Sequence, residues 1–209
     1  MLEQPDELVD RIEEPAYGPY AYARSLLTSE SRVLDVGCGN GKVSAYLAES
    51  GATVDGIEPA ANRANTGSRR VRYLSTMDPL DNDPELLPLY DIITYFDVLE
   101  HIVDPPALLL WSVGRLAPGG RIVAAIPNSA HLSFRKKVLR GDWSMSEHGL
   151  FDRTHVRFFD TRTAVDLRPA GTEEVDRRYS TPAQGWELWM LDRLPNLLAL
   201  HVTLTWARK

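Results

Sequence analysis

The chain has 209 residues, of which 44% are hydrophobic, so it can build one sizeable core but has little room for two. Its net charge of −6 provides no overall positive field for nucleic acid or an anionic membrane. A single cysteine excludes an intrachain disulfide, the acidic N-terminal residues are unlike a signal peptide, and no apolar run is long enough to span a bilayer. We therefore expect a cytoplasmic protein with a single domain over residues 1–209.

The first elements of the chain are a helix, a strand and a glycine-rich turn. Residues 17–29 predict a helix, within an N-terminal cap formed by residues 1–29. Val33–Val36 predicts a buried parallel strand. Three glycines follow, and glycine lets the backbone turn tightly and lie against a ligand; they are Gly37, Gly39 and Gly41. Lys42–Glu49 then has helical spacing. A strand, a glycine turn and a helix in succession indicate the adenosine-binding entrance of a doubly wound α/β fold.

Further strands alternate with helices along the chain. Parallel strands joined by right-handed crossovers are expected from this alternation. A helix begins at Pro105, because proline is favoured in the first turn. Residues 128–160 interrupt the rhythm with a polar, aromatic and histidine-rich insert, and His201–Ala207 alternates like a half-buried strand. The strands predicted between the glycine turn and the insert are Thr53–Ile57, Val71–Leu74, Tyr90–Phe96 and Arg121–Ile126.

The spacing of the glycines bears on which adenosine compound binds. A dinucleotide site has the pattern G-x-G-x-x-G, which would place its last glycine where this chain has Lys42. The third glycine comes one residue early, at Gly41, so the pattern disfavours a nicotinamide or flavin cofactor. The carboxylate of Asp35 also fits poorly beside a pyrophosphate and would suit an ammonium group. Glu58, at the end of the second strand, can accept hydrogen bonds from two ribose hydroxyls.

Four motifs, in this order, resemble those of class I S-adenosylmethionine (SAM)-dependent methyltransferases. They are residues 33–41, Glu58, Phe96–His101 and Leu116–Gly120. The resemblance covers roughly residues 20–160 and is nearest to the small ubiquinone-biosynthesis-like and MetW-like methyltransferases. It implies an α/β fold with a doubly wound, mostly parallel, seven-stranded sheet whose last strand is antiparallel.

The resemblance also implies that SAM is the cofactor and assigns residues to it. Asp35 would orient the methionine amino group through water or backbone, and Glu58 would hold the ribose. The other implied contacts come from the glycine turn, the adenine loop and the segment after the fourth strand. These residues are Gly37, Cys38, Gly39, Gly41, Thr76, Met77, Phe96, Asp97 and His101.

The insert contains the best candidates for acid–base chemistry. Asp152 and His155 lie three residues apart, close enough for the carboxylate to orient the imidazole as a general base near neutral pH. The alternative is that His155 and Arg157 only tie the insert to the sheet. His148 is a weaker candidate in a loop. We expect the acceptor to contact Tyr17, Tyr20, Asn128, His131 and Arg157.

Other polar and aromatic clusters have simpler interpretations. His131, His148 and His155 lack tight ligand spacing and cysteine partners, so no metal site is expected. The basic run Arg135–Arg140 is typical of a solvated helix face, or of a phosphate-bearing substrate. A late helix around Trp189 is expected to pack on the sheet, and an exposed form of it would indicate a homodimer face.

The sequence therefore predicts a SAM-dependent methyltransferase that acts at oxygen on a small-molecule acceptor. One alternative is a SAM-binding partner module without transferase activity. A nicotinamide-dependent oxidoreductase is a second alternative. A nucleic-acid methyltransferase is disfavoured by the acidic charge balance.

Overall fold

The described part of the chain alternates strands and helices. The computed structural model describes residues 18–59, 71–73, 87–147, 149–181 and 186–209. The strands are β1 (Arg32–Val36), β2 (Thr53–Ile57), β3 (Val71–Tyr73), β4 (Tyr90–Phe96), β5 (Leu116–Pro127), β6 (Thr172–Ser180) and β7 (His201–Arg208). The helices are α1 (Pro19–Ser25), α2 (Lys42–Ala48), α3 (Pro105–Val113), α4 (Leu132–Leu139), α5 (Trp186–Leu191) and α6 (Pro195–Leu198). Two 3₁₀ turns lie at Leu99–His101 and Thr163–Leu167.

The strands within these ranges form one sheet in the order β3-β2-β1-β4-β5-β7-β6. The first five strands in this order are parallel. Strand β7 is antiparallel to both of its neighbours, β5 and β6. The predicted fold class is therefore confirmed, including the antiparallel last strand.

Helices cover both faces of the sheet because successive strand residues point to opposite faces. On one face, Val33 of β1 and Ile92 of β4 pack with Leu47 of α2 and with α1. On the other face, Leu34 and Ile93 belong to a larger cluster that includes α3, the second 3₁₀ turn and Trp206 of β7. Buried strands of this kind explain the near-continuous apolar runs that marked β1, β4 and β5 in the sequence.

Several boundaries differ from the sequence predictions. Helix α1 is shorter than residues 17–29, and α3 ends at Val113. Strand β5 begins at Leu116, not Arg121, because Leu116 pairs with Tyr90 ahead of a register shift. Strand β6 was not predicted at all. Its pattern contains few buried side chains, since it lies at the edge of the sheet beyond β7.

Several of the predicted site residues that the structure describes lie at the carboxyl-terminal edge of the parallel strands. The ends of β1, β2, β4 and β5 lie there, and β7 begins there because it runs the opposite way, so that His201 pairs with Pro127. The two ends of the insert meet at the same edge, where Asn128 bridges to Phe159.

Among the described helices, none has the length and apolar character needed to cross a membrane. In α5, Trp189 is 68% exposed.

Candidate functional site

The glycine turn after β1 is built by the backbone conformation that the three glycines allow. Their φ angles are +75° at Gly37, +54° at Gly39 and +76° at Gly41, a region that residues with a Cβ rarely adopt. The amides of Gly37 and Cys38 both donate to the carbonyl of Ile57, at 2.8 and 3.1 Å. The turn is thus anchored to the end of β2, and Gly41 begins helix α2.

Two of these glycines face different surroundings. A Cβ at Gly37 would lie 2.4 Å from Cγ2 of Val98, so the side chain of Val98 fills the space beneath the turn. A Cβ at Gly39 would meet no described atom within 4 Å. Gly39 therefore borders open space, which is the property expected where a backbone approaches a ligand closely.

Asp35 lies beneath the turn and is 1% exposed. Its carboxylate accepts hydrogen bonds from Ser44 Oγ at 2.6 Å and from Thr94 Oγ1 at 2.9 Å. Burial raises the pKa of Asp35 to about 6 and the nearby Glu58 adds to this, although the two hydroxyls oppose it. Direct contact between Asp35 and a ligand is excluded in this conformation, so only an indirect influence on an ammonium group is compatible with the structure.

Glu58 lies beside the glycine turn and is half-buried. Its Oε2 atom accepts a hydrogen bond from the amide of Gly39 at 2.9 Å, which fixes the carboxylate next to the open side of the turn. A carboxylate has about four acceptor positions, so this bond leaves capacity for hydroxyl donors. Cys38 is buried, and burial with the nearby Asp35 and Glu58 raises the pKa of its thiol to about 12. Cys38 is therefore no nucleophile.

The segment after β4 continues the site. The ring of Phe96 packs edge-on against that of Tyr20 from α1, with centroids 4.9 Å apart. Asp97 has a φ of +53°, the one non-glycine residue with a positive φ in the described ranges. Strained backbone of this kind clusters at functional sites. The Oδ1 atom of Asp97 lies 2.9 Å from Nε2 of His201 at the start of β7.

A buried carboxyl group and two imidazoles meet next to this segment. Glu100 is 1% exposed, and neither of its carboxyl oxygens has a hydrogen-bond partner among the described residues. Its Oε1 atom lies 3.8 Å from Nε2 of His155 and 3.9 Å from Nε2 of His101. Burial raises the pKa of Glu100 to about 9, and Asp97 and Asp152 add to the shift. Glu100 therefore favours the neutral form at pH 7.

The ring of His155 is held inside this cluster. Its side chain is 7% exposed, and its ring lies edge-on to that of His101 with centroids 4.7 Å apart. Burial lowers the pKa of His155 and His101 lowers it further, which outweighs the opposite effect of Asp152 and Asp97. The imidazole is thus neutral near pH 7, the form that can accept a proton.

The carboxylate of Asp152 has a different partner from the one predicted. Its Oδ1 atom accepts hydrogen bonds from the amide and the hydroxyl of Thr154, at 2.7 and 2.5 Å. Burial would raise the pKa of Asp152, but the two bonds from Thr154 outweigh it and the pKa is lowered. Thr154 in turn contacts Nδ1 of His101 through its hydroxyl, at 3.0 Å. The carboxyl group nearest to His155 is that of Glu100, so Asp152 orders the turn around the imidazoles and influences His155 electrostatically.

Three residues that we expected to contact the acceptor are committed to the framework of the protein. Asn128 is completely buried, and its amide donates to the backbone of α6 and to the carbonyl of Ala199, the latter at 2.8 Å. His131 caps α4 by accepting from the amide of Ser133. Arg157 donates from Nε and Nη2 to the carbonyl of Val103. We no longer expect Asn128 to touch a ligand, because no solvent reaches it.

The remaining predicted residues lie outside the described ranges. These are Tyr17, Thr76, Met77 and His148. Their assignments stay predictions.

Glu100 and His201 have no predicted role in the sequence analysis. Glu100 belonged to the motif at residues 96–101, but a glutamate is rarely fully buried, so nothing in the sequence indicated its burial. His201 stands at the start of an alternating strand, and only the antiparallel position of β7 brings it to Asp97. The sequence argument against a metal site considered His131, His148 and His155. The structure instead brings ligand atoms of Glu100, His101 and His155 within 4.8 Å of one another.

A glycine cradle at the end of β1, an acidic residue at the end of β2 and a polar cluster after β4 define a nucleotide-binding α/β enzyme fold. A family model described as "Methyltransferase domain" matches residues 6–167. The chain therefore belongs to the methyltransferase-domain family, and it is an enzyme of the SAM-dependent methyltransferase class.

Relatives with assigned names are similar over most of the chain. Two proteins named ubiquinone biosynthesis O-methyltransferase, from two strains of Cereibacter sphaeroides, are 29% and 30% identical over 185 and 182 residues. These alignments cover 83% and 82% of this chain, and 74% and 73% of the relatives.

Solved structures share the fold at lower identity. A SAM-dependent methyltransferase from Thermotoga maritima, described as a possible histamine N-methyltransferase, has a TM-score of 0.63 at 20% identity and covers 98% of this chain and 94% of its own. The plantazolicin methyltransferase BpumL in complex with SAH has a TM-score of 0.62 at 14% identity, with 99% and 91% covered. The [4+2]-cyclase SpnF also has a TM-score of 0.62, at 19% identity, with 97% and 80% covered. At these identities the likeness concerns the fold alone.

Proposed function

We propose that this enzyme transfers the methyl group of SAM to a hydroxyl oxygen of a small molecule. The observation that carries the proposal is the buried imidazole of His155 at the same sheet edge as an open glycine turn, and burial lowers the pKa of this imidazole. Oxygen as the target is also supported by the names of the curated relatives, which are O-methyltransferases. A cytoplasmic location and a homodimer stay predictions from the sequence.

The residues around the glycine turn fit the methyl donor. Gly39 offers an approach that a Cβ would obstruct, and the fixed carboxylate of Glu58 faces the same side as acceptor for ribose hydroxyls. Asp97 and Phe96 would border the methionine part, with Tyr20 packed against Phe96 from outside. SAM supplies an electrophilic methyl group on a sulfonium, so the protein has to align the acceptor and exclude water.

His155 would take the proton from the acceptor hydroxyl. Its Nε2 atom faces Oε1 of Glu100, so we assign Nδ1 as the atom that accepts the proton. A neutral Glu100 would avoid placing a second negative charge beside the deprotonated oxygen. His101, Thr154 and Asp152 form a chain of contacts that fixes the two rings. A positioned base of this kind contributes about 10²- to 10⁴-fold to a rate.

The experiment compares His155→Gln with the native enzyme, using labelled SAM and a panel of small phenols and alcohols as acceptors. We expect kcat to fall by about 10²-fold or more and the Kd of SAM, measured by calorimetry, to change less than about twofold. Val156→Ala is the matched control, because Val156 is a neighbour on the insert with 56% exposure. An unchanged kcat with a normal pH–rate profile would remove His155 from the mechanism. Transfer to amines but to none of the hydroxyl acceptors would refute O-methylation.

A further inference from the structure

A second cavity lies apart from the glycine turn and contains none of the residues assigned to SAM. Its volume is about 640 Å³, and its walls come from α4, the second 3₁₀ turn, β6 and the segment of α5 and α6. Four arginines line it against a single acidic residue, Asp166. The arginines are Arg135, Arg162, Arg177 and Arg193. This surplus of three positive charges among the lining residues stands in a chain whose net charge is −6.

Three of the four guanidinium groups are held in place by neighbouring groups, and Arg177 bonds to Tyr179 as well as to Glu174. Arg177 donates from Nε and Nη2 to Oε1 of Glu174, at 2.9 and 2.7 Å. Arg193 stacks on the ring of Trp189 at 4.5 Å, and Arg135 donates from Nε to the carbonyl of Ala130. A guanidinium has five N–H donors, so each of these arrangements leaves donors for a ligand.

Arg162 is the fourth arginine, and within the described ranges its guanidinium has no hydrogen-bond acceptor, whereas its backbone bonds to Asp160 and Val165. It follows the insert directly. The wall next to it is rigid, because Thr161 donates from its hydroxyl to Oδ1 of Asn196 at 2.7 Å. Arg162 is therefore an exposed cation on a fixed wall, with its charge directed at no carboxylate of the described chain.

Besides the polar Thr161 and Asn196, the lining also has an apolar and aromatic part. Val165, Leu194 and Leu197 contribute aliphatic surface, and Tyr179 of β6 contributes a ring. Cavities of 300–1,000 Å³ with apolar walls and a few convergent polar groups are typical of small-molecule sites. A ligand that fits both the arginines and the apolar part of the lining has an anionic group and an apolar or aromatic body.

We propose that this cavity binds a small phosphate monoester with an aromatic or aliphatic body. The planar forks of arginine match the oxygens of phosphate in pairs. Four arginines against Asp166 and the adjacent Glu174 leave two surplus positive charges, which suit a dianion. The site goes beyond the proposed methyl transfer and does not depend on it, because none of its lining residues belongs to the donor site. A cavity walled by several elements suits a soluble ester rather than the headgroup of a lipid in a bilayer.

Calorimetry of the full chain with phenyl phosphate, in the absence of SAM, tests the proposal. We expect saturable binding that weakens with added salt, and no binding of phenol, which has the same ring without the charge. The double variant Arg162→Ala with Arg193→Ala should weaken binding by about tenfold or more. Glu174→Gln should tighten it severalfold, since this change removes the negative charge that competes for Arg177.

Arg121→Ala is the matched control, because Arg121 is exposed near the start of β5, at the opposite edge of the sheet. Its binding of phenyl phosphate should equal that of the native protein. The proposal is overturned if phenol binds as well as phenyl phosphate, or if the double variant, shown by circular dichroism to be folded, keeps the native affinity. Binding to phosphatidic acid vesicles without binding to phenyl phosphate would equally overturn the soluble ester.

Discussion

At the scale of single residues, Gly37 and Gly39 in the turn after β1 differ in what surrounds the position of a Cβ. Gly37 is required by the interior, since Val98 occupies the space that a Cβ would need. At Gly39, no described atom lies within 4 Å of such a Cβ. Packing therefore accounts for Gly37, and the proposed binding of SAM would account for Gly39, two residues away.

Substituting each glycine by alanine separates an effect on stability from an effect on SAM binding. Gly37→Ala should destabilise the fold by about 2–5 kcal/mol, because overpacking of about 1–3 kcal/mol adds to about 1–2 kcal/mol of strain from the positive φ. Gly39→Ala should lose only about 1–2 kcal/mol from strain, but its Kd for SAM should rise about tenfold or more. Urea denaturation and calorimetry measure the two effects.

Gly141→Ala provides the control for strain alone. Gly141 has a φ of +70° and open space around its Cβ position, and it follows α4, away from the turn. It should lose stability like Gly39→Ala and keep the native Kd for SAM. Equal losses of SAM affinity in Gly37→Ala and Gly39→Ala, at equal stability, would contradict this separation.

At the scale of elements, specific hydrogen bonds attach the middle of the insert to the segment after β4. The amides of Val156 and Arg157 both donate to the carbonyl of Glu100, and the side chain of Arg157 donates to the carbonyl of Val103. These bonds fix His155 over the segment that follows β4. Arg157 therefore acts on the candidate base through the position of the backbone.

Arg157→Ala tests this attachment. We expect a stability loss of about 1 kcal/mol, because a hydrogen bond from a charged side chain to a backbone carbonyl is removed. Hydrogen exchange of the amides in residues 149–159 should become faster, while amides of β1 keep their native rates. If exchange is unchanged and only the KM of the acceptor rises, Arg157 contacts the acceptor as the sequence predicted.

The elements also show what the sequence could and could not predict. Strands β1, β2 and β4 and the glycine turn carry local signals, because apolar runs and glycine spacing follow from burial and backbone conformation. Strand β6 lacks such a signal, since it lies at an edge and its register shifts between Glu174 and Asp176. The contact of Glu100 with His155 joins residues far apart in the chain, and no spacing rule reaches that far. The burial of Asn128 was not predictable either, because a polar residue after a strand can bind a ligand or the protein backbone, and Asn128 bonds to the backbone.

At the scale of the whole molecule, two buried acids shape the dependence of stability on pH. The pKa of Asp35 is raised to about 6 and that of Glu100 to about 9, in both cases chiefly by burial. Such groups bind protons more tightly when folded, so their contribution to stability is lost as pH rises from the ordinary carboxyl range through these values. The lowered pKa of His155 has the opposite effect, because stability then increases as pH rises, but only at pH values below the ordinary pKa of histidine. Among these three groups, Glu100 should therefore dominate the change in the free energy of unfolding between pH 7 and pH 9.

Glu100→Gln should flatten this slope. We expect the native free energy of unfolding to fall from pH 7 to pH 9, and the variant to fall less, by more than about 1 kcal/mol. Urea denaturation at both pH values, with a chelator present so that no cation occupies the cluster, gives the measurement. Glu173→Gln, an exposed change on β6, should keep the native slope. Parallel slopes for the native protein and Glu100→Gln would show that Glu100 is ionised in the fold.

The position of β7 has a consequence for how the protein is made. Strand β7 lies between β5 and β6, although the ribosome synthesises it after every other strand of this sheet. Until residues 201–208 leave the exit tunnel, β6 has no partner and the edge of β5 stays open. The nascent chain therefore exposes an unpaired strand edge of the kind that attracts aggregation or chaperones. Completion of the sheet therefore follows the synthesis of all its other strands, long after the glycine turn that follows β1 has been made.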